Sequence, residues 1–113
     1  MVNASEFLQT WVNAIKSGDP KQVTSLYSED GILLGTFSAA ERVGHELILE
    51  YFKNLLKNPV EVNIISEHLH DFESSAVNSG LYNFVTGGKT IKARFSFAYD
   101  ADGKIVTSLF NLT

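Results

Sequence analysis

The chain predicts an α+β fold, with helices in its first half and an antiparallel sheet in its second. Three observations lead there. The stretch from Ile91 to Tyr99 alternates strictly: Ile91, Ala93, Phe95, Phe97 and Tyr99 share one face, and Lys92, Arg94, Ser96 and Ala98 share the other. Gly87-Gly88 before it and Asp100-Ala101-Asp102-Gly103 after it are turn sequences, because glycine adopts the positive φ that tight hairpins need. Upstream of Val60, apolar residues recur instead at helical spacing.

Taken in order, a first helix is expected over 4–17. Asn3 caps it, and Glu6 stands at the capping-box position. Phe7, Leu8, Trp11, Val12 and Ile15 form its apolar stripe; Lys16 complements the helix dipole and Gly18 ends it. Asp19-Pro20-Lys21-Gln22 opens a short second helix, with Asp19 as cap and Pro20 in the first turn, where no N–H is needed. Its inward residues are Val23, Leu26 and Tyr27, and Ser28-Glu29-Asp30-Gly31 breaks it. Ile32-Leu33-Leu34 reads as a short buried strand, followed by a loop from Gly35 to Gly44. A third helix from His45 to Lys57 carries apolar residues at 47, 48, 51, 52, 55 and 56 and stops at Asn58-Pro59. Four strands follow over 60–70, 75–86, 89–99 and 103–112, and their short turns make them an antiparallel meander.

Segregated helices cover one face of such a sheet. The last three strands are nevertheless apolar in both parity sets. Val77, Leu81 and Val85 oppose Ala76, Tyr82 and Phe84, while Val106, Phe110 and Leu112 oppose Ile105 and Leu109. A sheet that is apolar on both faces needs a second cover, and another copy of the same chain supplies one. A homodimer is therefore expected, with Leu81, Phe95, Phe97 and Phe110 on its face.

At 113 residues the chain makes a single domain, 1–113. Its composition is 44% hydrophobic, with eight Phe, which is enough for a core without cross-links. The absence of cysteine excludes disulfides and thiolate metal sites. Nine basic and 13 acidic residues leave a net charge of −4, and the lysines form no stripe, so no nucleic-acid partner is expected. No apolar run approaches the ~20 residues of a membrane span, and the N-terminus has no signal-peptide pattern. No membrane partner and a cytoplasmic location are the expectation. There is no phosphate loop, dinucleotide fingerprint or serine-nucleophile elbow. No cofactor is expected, and no catalytic residue is assigned.

His68 and His70 share a strand face beside Glu67 and Asp71, but no third ligand stands at matching spacing, so no metal is expected. His45 opens a helix and reads as a capping group. Glu41-Arg42 reads as an ion pair in a loop. Arg94 has two readings: an always-charged guanidinium in mid-strand meets either solvent or a dimer face, or an anion inside a cavity. Its small neighbours Ser96 and Ala98 leave room for a ligand and favour the cavity.

The order of elements, Lys16-Ser17-Gly18-Asp19-Pro20, and the run from Leu26 to Leu34 resemble the nuclear transport factor 2-like superfamily, also called SnoaL-like or cystatin-like. More narrowly, the chain resembles bacterial proteins related to the association domain of calcium/calmodulin-dependent protein kinase II. The matching stretches are Leu33-Leu34-Gly35-Thr36-Phe37-Ser38, Arg42-Val43-Gly44 with Tyr51-Phe52, Ser79-Gly80-Leu81-Tyr82, and Ala93-Arg94-Phe95-Ser96-Phe97. Together they cover nearly the whole chain.

The resemblance implies a cone-shaped curved sheet on three helices, with a cavity between them. It implies Arg42 at the cavity mouth and Arg94 at its floor, holding a small anionic, carboxylate-bearing ligand. Trp11, Ile15, Leu34, Phe37, Tyr51 and Tyr82 would form the walls, with Ser96 and Ser108 beside them. The alternative is a self-association module with a vestigial pocket. Two departures matter. Gly35 stands where the family usually has proline, and Ser108-Leu109-Phe110-Asn111 replaces a pair of histidines followed by serines. In the ketosteroid isomerase branch, the oxyanion-hole tyrosine falls on Trp11 and the general base on Gly35. Trp cannot act as an acid and Gly offers no base, so that isomerase chemistry is not expected.

Overall fold

Asn3 accepts a hydrogen bond from the Glu6 backbone N–H at 3.1 Å and starts α1 (Ala4–Ser17). Gly18, at φ 78°, ends it by donating to the Ile15 carbonyl. The computed structural model of the chain describes residues 3–35 and 40–112, with side chains through Phe110. The buried stripe of α1 includes Leu8, Trp11, Val12 and Ile15. Asp19 caps α2 (Pro20–Thr24) through the Lys21 N–H at 3.0 Å. Then β1 (Tyr27–Leu34) begins at Tyr27 rather than at Ile32. Its polar first half reads as a break in the sequence, yet Tyr27 pairs in parallel with Ile105 of the last strand, and the ladder resumes at Ile32 after an irregularity. Tertiary pairing overrides local preference there. A two-residue strand, β2 (Arg42–Val43), pairs antiparallel with β1 inside the stretch expected to be loop.

The third helix, α3 (His45–Leu55), follows Gly44. The meander is β3 (Val60–Asp71), β4 (Ala76–Thr86), β5 (Lys89–Tyr99) and β6 (Ile105–Leu112). The sheet order is β2-β1-β6-β5-β4-β3, antiparallel except for β1 on β6. The sheet is curved and unclosed, with β2 and β3 at its edges. Gly87 and Gly88, at φ 56° and 75°, make the β4–β5 turn as their sequence predicts.

The helices pack on one face. Under them lie Tyr82, Phe84, Phe95, Phe97, Phe110 and Tyr99, all buried. Trp11 sits among these rings, edge-on to Phe97 at 5.0 Å and stacked on Tyr82 at 6.2 Å. This arrangement corrects the expected dimer face: Phe95, Phe97 and Phe110 belong to the interior. Of that group only Leu81, 43% exposed, lies on the outer face, where it is the register partner of Arg94. The parity set of Arg94 therefore points away from the helices, and Arg94 itself is exposed. Ser96 and Leu34 also lie outside, Ser96 hydrogen-bonded to Ser79 at 3.0 Å and Leu34 in register with Leu109. Both parity sets hold apolar residues, but the aromatic set removes far more apolar area from water and so takes the covered face.

Candidate functional site

Trp11, Ile15, Tyr51, Tyr82 and Ser108, all expected around a pocket, come together between sheet and helices, and all are buried. Arg94, Leu34 and Ser96 are on the other side of the sheet, and Phe37 lies outside the described residues. The interior is packed with rings, and its polar tips form a small cluster. The hydroxyls of Tyr27 and Ser108 are 2.9 Å apart. The Trp11 indole N–H approaches the Tyr27 hydroxyl closely enough to affect it but closes no hydrogen bond of standard geometry. The Tyr82 hydroxyl has no hydrogen-bond partner among the described residues.

Burial pushes the phenols of Tyr27, Tyr82 and Tyr99 well above the ordinary tyrosine range; at Tyr27 the Ser108 hydrogen bond pulls the other way. At neutral pH these are uncharged hydroxyls, and the cluster contains no ionised group. In the sequence Tyr27 stands only as an inward residue of the second helix. Its place in the cluster comes from being the first residue of β1, which the sequence does not mark. The backbone there is held by His45, whose ring N–H donates to the Tyr27 carbonyl at 2.7 Å. His45 thus ties α3 to β1 instead of capping α3, which has no side-chain cap.

At one end the interior opens into a pocket of about 340 Å³ between α3 and the β4–β5 hairpin. Arg42, Tyr51, Asn54, Leu55, Thr86 and Ile91 line it. Arg42, its side chain 17% exposed, donates through Nη1 to Glu50 Oε1 at 3.1 Å. Its partner is thus Glu50, one turn into α3, rather than the neighbouring Glu41. Tyr51 belongs to both regions: it lines the pocket, and its phenol is near enough to Tyr27 and Tyr82 to raise both. Its ring fits because position 35 has no side chain; a Cβ on Gly35 would lie 2.6 Å from Tyr51 Oη. His68 and His70 lie on the outer side of edge strand β3, opposite Ser79 and Val77. Among the described residues no three His, Cys, Asp or Glu side chains cluster as metal ligands. No helix among them is long and apolar enough to cross a membrane.

A curved, mostly antiparallel sheet wrapped on three helices defines the nuclear transport factor 2-like class, and this chain has that fold. Residues 2–99 match the family of the calcium/calmodulin dependent protein kinase II association domain, and the chain belongs to that family. A structure from Xanthomonas campestris assigned to the same association domain is 31% identical, with a TM-score of 0.89 over 96% of this chain and 84% of that one. A nuclear transport factor 2-like protein of unknown function from Pseudomonas putida KT2440 shares the fold at 13% identity, with a TM-score of 0.85 over 95% of this chain and 82% of that one. The orange carotenoid protein of Anabaena (Nostoc) sp. PCC 7120, binding canthaxanthin, does so at 17% identity and a TM-score of 0.83, covering 98% of this chain and 36% of that one. No curated protein sequence matches the chain.

Proposed function

We propose that this association-domain protein binds a small organic anion, a carboxylate above all, in the pocket lined by Arg42 and Tyr51. The observation that carries this reading is a mostly buried arginine side chain on the wall of a roughly 340 Å³ pocket whose other lining side chains are uncharged. That volume suits a small molecule. Glu50 holds the guanidinium in place, and a planar fork held in place is what bidentate carboxylate recognition requires. Leu55 and Ile91 would shield the ligand's apolar part, and the Asn54 amide and Thr86 hydroxyl would orient it.

A second reading, self-association, is compatible with the first. It is favoured by the outer sheet face, which no helix covers and on which Leu81 is exposed, and by the family's own description as an association domain. The carboxylate reading is tested by a thermal-shift screen of small carboxylates on the wild type, Arg42→Gln and Glu50→Gln. At a hundredfold excess over Kd a ligand stabilises the native state by about 2.7 kcal/mol. The wild type and Glu50→Gln should respond, because both keep the guanidinium, and Arg42→Gln should not. The reading fails if no carboxylate moves the wild type, or if Arg42→Gln responds equally.

A further inference from the structure

We infer that the interior of the fold holds a neutral hydrogen-bond acceptor, met by the Trp11 indole N–H and the Tyr82 hydroxyl. The two residues are 0% and 1% exposed, and among the described residues neither polar atom closes a hydrogen bond of standard geometry. Their rings, one from α1 and one from β4, stack at 6.2 Å with planes 12° apart, so the donors come from adjoining side chains. Native proteins rarely leave a fully buried donor unpaired, because nothing repays its lost hydration. Two neighbouring orphans in one core imply a common guest.

The surrounding groups set the chemistry of that guest. Tyr27, Ser108 and Tyr51 add hydroxyls, and among the described residues no cation belongs to this cluster, unlike the pocket mouth with Arg42. An anion would be desolvated here without a counter-charge, which is strongly unfavourable. An uncharged oxygen meets no such penalty. It would be a water molecule or the carbonyl or ether oxygen of a small organic molecule. A water fits the valence well: it would accept from Trp11 and Tyr82 and donate to the Tyr27 or Ser108 oxygen, close to the three bonds typical of buried waters. This inference is independent of carboxylate binding at the mouth.

Trp11 is the only tryptophan, so its indole N–H gives one resonance in a proton–nitrogen correlation spectrum. The expected result is a cross-peak from that proton to a long-lived water, or to carbon-bound protons of a molecule that extraction then releases. The first identifies water and the second an organic guest. Tyr82→Phe keeps the ring, should shift the indole resonance, and should lower the thermal midpoint by a few degrees because the guest loses a donor. The inference is overturned if neither cross-peak exists. It is also overturned if Tyr27→Phe moves the indole signal while Tyr82→Phe does not, which would show a direct Trp11–Tyr27 bond. A raised midpoint in Tyr82→Phe would equally sink it, since removing a truly orphaned buried hydroxyl is favourable.

Discussion

Gly35 and Tyr51 show how one missing side chain shapes the site. Gly35 has an ordinary backbone conformation, so it is space rather than φ that demands glycine. Any side chain there meets the Tyr51 ring. Gly35→Ala should cost about 1–3 kcal/mol in urea unfolding, the usual range for overpacking. Adding Tyr51→Leu should restore most of that loss by vacating the space. A neutral single variant would mean that the ring yields freely and does not define the pocket. Residue identity alone does not place a side chain: Arg94 is exposed on the outer face while Arg42 lines the pocket, because the direction of a side chain depends on which strand face the helices cover.

At the scale of the element, β3 and β4 are locked by a bulge between Ile64 and Ser66. Ser66 Oγ accepts the Leu81 N–H at 3.1 Å. Gly80, one place before Leu81, lies under the Ser66 backbone. A Cβ on Gly80 would collide with the Ser66 carbonyl oxygen, sit 2.8 Å from its carbon, and approach the Phe95 ring at 3.1 Å. Backbone cannot rotate aside as a flexible side chain can. Gly80→Ala should therefore destabilise by about 3 kcal/mol, at the top of the overpacking range. Amide exchange should show β3 losing protection before β5. Unchanged protection in β3 would show that the bulge tolerates a side chain. The bulge also distorts a twelve-residue edge strand, which discourages uncontrolled edge pairing.

At the scale of the molecule, we propose the outer sheet face as the surface for self-association. It mixes Leu81, Val77, Val85 and Leu109 with Ser79, Ser96, Lys92 and Arg94. Two such faces in a stable pair would bury on the order of 1,200–2,000 Å² in total. Leu81→Lys should weaken association by placing a third cation beside Lys92 and Arg94. Sedimentation should then show the wild type as a dimer or larger and the variant shifted toward monomer. A wild type that sediments as a monomer at on the order of tens of micromolar sinks the assembly reading, since a specific interface has a Kd below that.

Local chemistry made much of this legible in the sequence: the Asn3 and Gly18 ends of α1, the Gly87-Gly88 hairpin, the strict alternation of β5 and the α+β order of layers. Each depends on residues close together in the chain. Three features were settled only by distant contacts. The parallel pairing of Tyr27 with Ile105 and of Ile32 with Thr107 carries β1 across a polar stretch. The packing of Trp11 between Phe97 and Tyr82 drew the aromatic parity set under the helices and turned Arg94 outward. The docking of α3 brought Glu50 to Arg42 and Tyr51 to the space beside Gly35. Alternation shows that a strand has two faces, but which face is buried is a comparison of areas summed over the whole sheet, and no local pattern contains that sum.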